Sequence, residues 1–108
     1  LIQTTHHETA LAGLPKALDG LRVAFLTDLH RGELTSDVSI ARAVRRAEAF
    51  APDLVLLGGD YVRWRPEDAR PCAAMLARLR PRLGIVGCLG NHDYENPEKI
   101  AAIFEGVA

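Results

Sequence analysis

At 108 residues the chain has room for one domain at most, and its 48% hydrophobic content is that of a globular protein rather than a disordered one. Its 13 basic and 14 acidic side chains leave a net charge of -1, which excludes a global field drawing the chain to nucleic acid or to an anionic membrane. No run approaches the roughly 20 apolar residues needed to cross a bilayer, and no charged segment followed by an apolar one opens the chain as a signal peptide would.

Residues 2–11 mix Ile2, Thr4, Thr5 and Leu11 with His6, His7 and Glu8, a pattern that predicts an edge strand with one wet face. The two histidines have no metal-binding partners in reach and read as exposed. Gly13-Leu14-Pro15 and Asp19-Gly20 are turn signals, so residues 12–20 form a loop into the first central strand, residues 22–27. Its consecutive apolar residues, Val23 to Leu26, suit a strand covered on both faces. From Ser36 the period changes: Ile40, Val44, Ala47 and Ala51 recur at helical spacing, with Thr35 or Ser36 as cap and Pro52 as stop. Residues 53–57 give a second strand that ends at Gly58-Gly59-Asp60.

A polar connection over residues 61–68 leads to a helix with the stripe Cys72, Met75, Leu76 and Leu79, which places Pro71 in its first turn and Pro81 beyond its end. Residues 83–89 are the third strand, and Asn96-Pro97 opens a last helix with Ile100, Ile103 and Phe104 facing inward. Cys72 and Cys88 each lie in an apolar pattern and read as small buried hydrophobes, not as a disulfide. The order is thus an alternating α/β one with a parallel sheet. The chain begins without methionine and stops just after a helix, where an alternating fold would supply another strand. It therefore reads as an excerpt, truncated at both ends, whose apolar sheet and helix faces would need a cover.

Three polar clusters each follow a predicted strand: Asp28-Leu29-His30, Gly59-Asp60, and Gly90-Asn91-His92-Asp93. In an open parallel sheet the strand C-termini share one edge, and ligands bind in the crevice outside it, so the clusters should form one site. Their side chains are metal ligands and proton carriers. A bridging carboxylate flanked by oxygen and imidazole ligands can hold two divalent cations about 3.5 to 4 Å apart, a spacing that clamps phosphoryl oxygens and acidifies a bound water. Asp60 suits the bridge. Asp28 and His30 can both turn toward it if Leu29 points back to the core, Asn91 adds a neutral amide oxygen, and His92 suits a proton donor. The plainer readings are a carboxylate and imidazole capping loop amides for Asp28 and His30, and a left-handed turn residue for Asn91. Asp93 reads as a structural turn residue rather than a ligand. Arg31, Arg63, Trp64 and Arg65 flank the site; they could contact phosphate, but read better as a solvated loop.

The ordered set Asp28-Leu29-His30, Gly59-Asp60 and Gly90-Asn91-His92-Asp93 resembles the calcineurin-like metallophosphoesterase superfamily, over roughly residues 21–105. The lead-in through Leu14-Pro15 and Leu18-Asp19-Gly20-Leu21 looks like the bacterial, often membrane-associated branch of those phosphohydrolases. The resemblance implies the N-terminal half of a four-layer αββα sandwich, with residues 1–108 as the first part of a single domain. It implies two divalent metal ions (manganese, iron or zinc), with Asp28 and His30 on the first, Asp60 bridging, Asn91 on the second, and His92 as proton donor. The expected activity is hydrolysis of a phosphomonoester or phosphodiester, the partner a phosphoester substrate, with no nucleic acid indicated. Membrane association would run through a segment outside this chain, and the location would be cytoplasmic or membrane-associated. The family's later histidines have no counterpart here, so the excerpt by itself is expected to be inactive. Arg63 also stands where related protein phosphatases place an Asp that orients the catalytic histidine. A second reading is an inactive scaffold of the same fold that binds a protein or lipid partner.

Overall fold

The computed structural model describes residues 2–32 and 35–107. Three short parallel strands, β1 (Val23–Leu26), β2 (Leu54–Leu57) and β3 (Ile85–Gly87), lie in the order β1-β2-β3, with Ala24 beside Val55 and Val55 beside Ile85. Between and after them come α1 (Asp37–Phe50), α2 (Ala69–Leu76) and α3 (Pro97–Phe104).

Ser36 caps α1, its hydroxyl accepting from the Ser39 amide at 3.3 Å, and the helix closes at Ala51 in a left-handed conformation just before Pro52. α2 starts after a single 3-10 turn, Pro66–Asp68, and takes Pro71 in its first turn as expected. It stops at Leu76, so Leu79 is buried from the turn beyond it rather than from the helix. Asn96 sits at the N-cap of α3 without a capping side-chain hydrogen bond, and Pro97 opens the helix.

Because side chains alternate along a strand, Ala24, Leu26, Val55, Leu57 and Ile85 share one face. They pack with Ile40 and Val44 of α1, Cys72 and Leu76 of α2, and Ile100 and Phe104 of α3 into one core. The opposite face is open, with Val23, Phe25 and Val86 exposed by 40%, 64% and 59%. Among the described residues the apolar runs are thus covered on one face rather than both, and the other is an apolar sheet face of the kind expected to need a cover. Cys88 is corrected accordingly: two residues on from Val86 it falls on the open side and is exposed, whereas Cys72 is buried.

The edge strand expected over residues 2–11 does not form. That segment is held to α1 by side chains instead: Arg46 donates to the Thr4 hydroxyl at 3.0 Å, and the His6 ring lies 6.1 Å from that of Phe50. The polar connection after β2 is also less polar than expected. Tyr61 and Val62 are buried, Tyr61 stacks on Phe104 at 4.1 Å, and its hydroxyl donates to the Cys88 carbonyl at 2.7 Å. Burial pushes that phenol above its ordinary range.

Candidate metal centre

The turns after β1 and β2 run side by side beyond the strands. The Asp28 amide donates to the Gly59 carbonyl at 3.0 Å, and those of His30 and Arg31 to the carbonyls of Asp60 and Tyr61, both at 2.9 Å. Within this pairing Asp28, His30 and Asp60 all take positive φ, of 56°, 45° and 55°. Left-handed backbone is disfavoured for residues with a Cβ, and three such positions together mark a site where side-chain direction outranks backbone comfort. Leu29, between two of them, is buried in the core, as the spacing of Asp28 and His30 required.

The third turn comes as close as backbone can. A Cβ on Gly59, whose φ is +92°, would overlap the Gly90 amide nitrogen, and one on Gly90 would overlap the Asp60 carboxylate. Only glycine fits at this crossing. Gly90 leads into a 3-10 turn, Asn91–Asp93, whose His92 amide donates to Asp60 Oδ1 at 2.9 Å.

The side chains converge accordingly. His30 Nε2 lies 3.4 Å from Asp28 Oδ1 and 3.7 Å from Asp60 Oδ2, and the His30 and His92 rings meet edge to face with centroids 4.7 Å apart. His30, Asp60 and His92 each offer one ligand atom, all within 4.8 Å of one another. Asp60 is buried and Asp28 exposed, the latter accepting from the Thr27 hydroxyl at 2.8 Å. Asn91 is exposed beside them on the same edge. Among the described residues neither Asp28 nor Asp60 pairs with a lysine or arginine, and His30 Nδ1 is buried without a hydrogen-bond partner. Oxygen and imidazole donors with no lysine or arginine among them, His30 Nε2 facing the Asp28 and Asp60 carboxylates, fit a divalent metal.

Two contacts at this edge were not legible in the residue types. His92 Nδ1 lies 2.9 Å from the Arg63 carbonyl. A carbonyl only accepts, so Nδ1 carries the proton and Nε2 is the nitrogen left for chemistry. Arg63 thus holds the His92 ring by its main chain and not by its side chain. Asp93, expected as a turn residue, is buried completely and accepts from the amides of Asp60, Tyr61 and Gly90 at 2.7, 3.1 and 2.8 Å.

The flanking arginines divide. Arg31 is not solvated: it forks onto Asp37 at 2.6 and 3.1 Å and reaches Asp68 at 2.5 Å, and the Arg31 hydrogen bond holds Asp37 below the usual carboxylate range. Arg65 is exposed, as expected, and Arg63 lies over the Trp64 ring, which is itself tilted against His92 at 5.5 Å.

The chain belongs to the calcineurin-like phosphoesterase family, whose profile matches residues 21–106. The parallel sheet with its helices is consistent with the N-terminal half of that fold, and the family is one of phosphohydrolases that normally use divalent metals. The chain is 34% identical over 87 residues to a transmembrane protein with metallophosphoesterase domain from Danio rerio, a match that takes in 81% of this chain and 20% of that one. It is 35% identical over 85 residues to the UDP-2,3-diacylglucosamine pyrophosphatase LpxG of Chlamydia muridarum, covering 75% of this chain and 26% of that one. An uncharacterized metallophosphoesterase of Aquifex aeolicus is 32% identical over 81 residues, 75% of this chain and 31% of its own. The chain thus spans between a fifth and a third of the length of these curated relatives. No solved structure matches it. Among the described residues no helix is long and apolar enough to cross a membrane.

Proposed function

We propose that these residues are the first part of a single metallophosphoesterase domain, in a protein that hydrolyses a phosphoester or pyrophosphate bond with two divalent metals. The observation that carries this is the convergence of His30, Asp60 and His92 within 4.8 Å on backbone strained at His30 and Asp60. Asp28 and His30 would hold one metal, Asp60 would serve both, and Asn91 would hold the other; manganese, iron and zinc all suit these donors. Divalent metals bound there supply charge neutralisation at the phosphoryl group and an acidified water.

The protein's own residues do the rest. Asp60 is kept in place by the His92 amide on one oxygen, leaving Oδ2 on the His30 side. His92, with Nδ1–H tethered at Arg63, leaves Nε2 free, and with a second proton on that nitrogen the ring gives it to the departing alkoxide and returns to the neutral Nδ1–H form. The activity for which the Chlamydia relative is named favours a lipid-linked or nucleotide-linked pyrophosphate as substrate, and the name of the Danio rerio relative favours attachment to a membrane through a segment outside these residues.

The test is metal content and hydrolysis of bis-p-nitrophenyl phosphate by the complete protein, beside its Asp60→Asn variant. Loss of metal and a fall in kcat/KM of about a thousandfold or more is expected, since the bridge serves both ions. An unmodified protein that binds none of the three metals and turns nothing over would overturn the reading in favour of a binding scaffold of the same fold.

A further inference from the structure

Asp93 is a fully buried carboxylate with no lysine or arginine paired to it among the described residues, and neither a metal nor a substrate can reach it. Its oxygens are used entirely on backbone: Oδ2 accepts from Asp60 and Gly90, Oδ1 from Tyr61. All three donors lie in the turns that carry candidate ligands, none in a strand interior. The contact is also returned. Asp60 gives its amide to Asp93, and the Asp60 carboxylate takes the amide of the neighbouring His92. The two turns therefore clasp each other through both carboxylates, at a crossing too tight for a Cβ on either glycine.

Resting on the metal-centre reading above, we propose that Asp93 is a positioning residue for that centre. Its carboxylate holds the left-handed Asp60 and the Gly90-Asn91-His92 turn at a fixed separation, and so sets where the Asp60 oxygens, Asn91 and the His92 ring stand. A neutral amide cannot replace it. Asparagine keeps one oxygen but turns an NH2 toward donors, so at least one backbone N–H loses its acceptor.

The experiment uses the complete protein with Asp93→Asn, Asp93→Glu, and Val44→Ala, which opens the core within α1. Asp93→Asn is expected to weaken Mn2+ affinity by about 10- to 100-fold, the usual cost of losing an outer-shell partner, and to lower kcat by a similar factor with KM nearly unchanged. In the metal-free protein its Asp60 and Gly90 amides should exchange at least about tenfold faster while that of Val55 is unaffected. Asp93→Glu, which keeps the charge on a longer arm, should fall between the two and stands in if the asparagine variant does not fold. Val44→Ala should lose at least as much thermal stability and yet keep its Mn2+ affinity.

Unchanged affinity and kcat in Asp93→Asn, or equal losses in Val44→Ala, would overturn the proposal. If the unmodified protein binds no metal, the metal-centre reading falls by itself. Amide exchange then decides on Asp93 alone, unaltered rates at Asp60 and Gly90 counting against it.

Discussion

At the N-terminal end of the sheet, Asp53 accepts from the Arg22 amide at 2.8 Å and from the Arg82 guanidinium at 2.9 Å, while Arg22 also reaches the Phe50 carbonyl. At the C-terminal end, Asp28 and Asp60 have only His30 as an ionic partner among the described residues, and Asp93 has only backbone amides. One end thus supplies cations to its acid, whereas at the other Arg31 is taken up by Asp37 and Asp68, and Asp28, Asp60 and Asp93 gather without a lysine or arginine among the described residues. Backbone differs in the same sense. Both ends need a glycine at positive φ, but nothing lies within 4 Å of a Cβ on Gly84, where one on Gly59 would meet the next turn. The lesson is that a sheet edge built for stability and one built for an outside charge can be told apart by what their acids are paired with.

That contrast can be broken by four substitutions. Gly59→Ala should destabilise by about 3 kcal/mol or more, because strain and overlap with rigid backbone add. Gly84→Ala, with a similar φ of +88° and open space, should cost about 1 to 2 kcal/mol, the left-handed penalty by itself. Denaturant unfolding of the pair measures the difference, and equal losses would show that the crowding at Gly59 is relieved elsewhere.

Asp28→Gly should relieve a left-handed aspartate at an exposed position, leaving stability equal or raised by up to about 1 kcal/mol. If the proposed metal centre holds, the same change should weaken Mn2+ binding at least about tenfold, the loss of a ligand costing no less than that of an outer-shell partner. A variant that is clearly less stable would mean that Asp28 serves the fold after all.

Asp53→Asn gives the smallest effect and tests the other end. The Arg22 amide, and then Arg82, hold Asp53 below the usual carboxylate range. Its contribution is therefore complete above the unfolded value of about 4 and is lost as pH falls through the lower folded value. Thermal midpoints of parent and variant should converge as pH drops below about 4. A gap that stays constant through that window would remove the charge from the explanation.

The elements were legible because their signals are local: apolar runs for the strands, helical spacing for α1, proline and glycine for the ends. The gathering of Asp28, His30, Asp60 and His92 followed from topology, since each comes after a parallel strand. What failed needed knowledge of a neighbour. Residues 2–11 carry a strand pattern, but pairing depends on a free partner edge, and Arg46 and Phe50 took the segment instead. The runs in β1 and β3 look the same whether one face or both are covered, so the exposure of Phe25, Val86 and Cys88 could not be read from them. The depth of Asp93 was hidden because its partners are amides, which every residue possesses.

The carbonyl of Arg63 that holds His92 belongs to the same invisible class. Every amino acid presents that oxygen, so replacing the side chain at position 63 does not delete the acceptor. An alanine scan would leave the contact in place and score the position as silent for ring orientation. Natural drift has the same licence: the residue type at position 63 can change without deleting the acceptor.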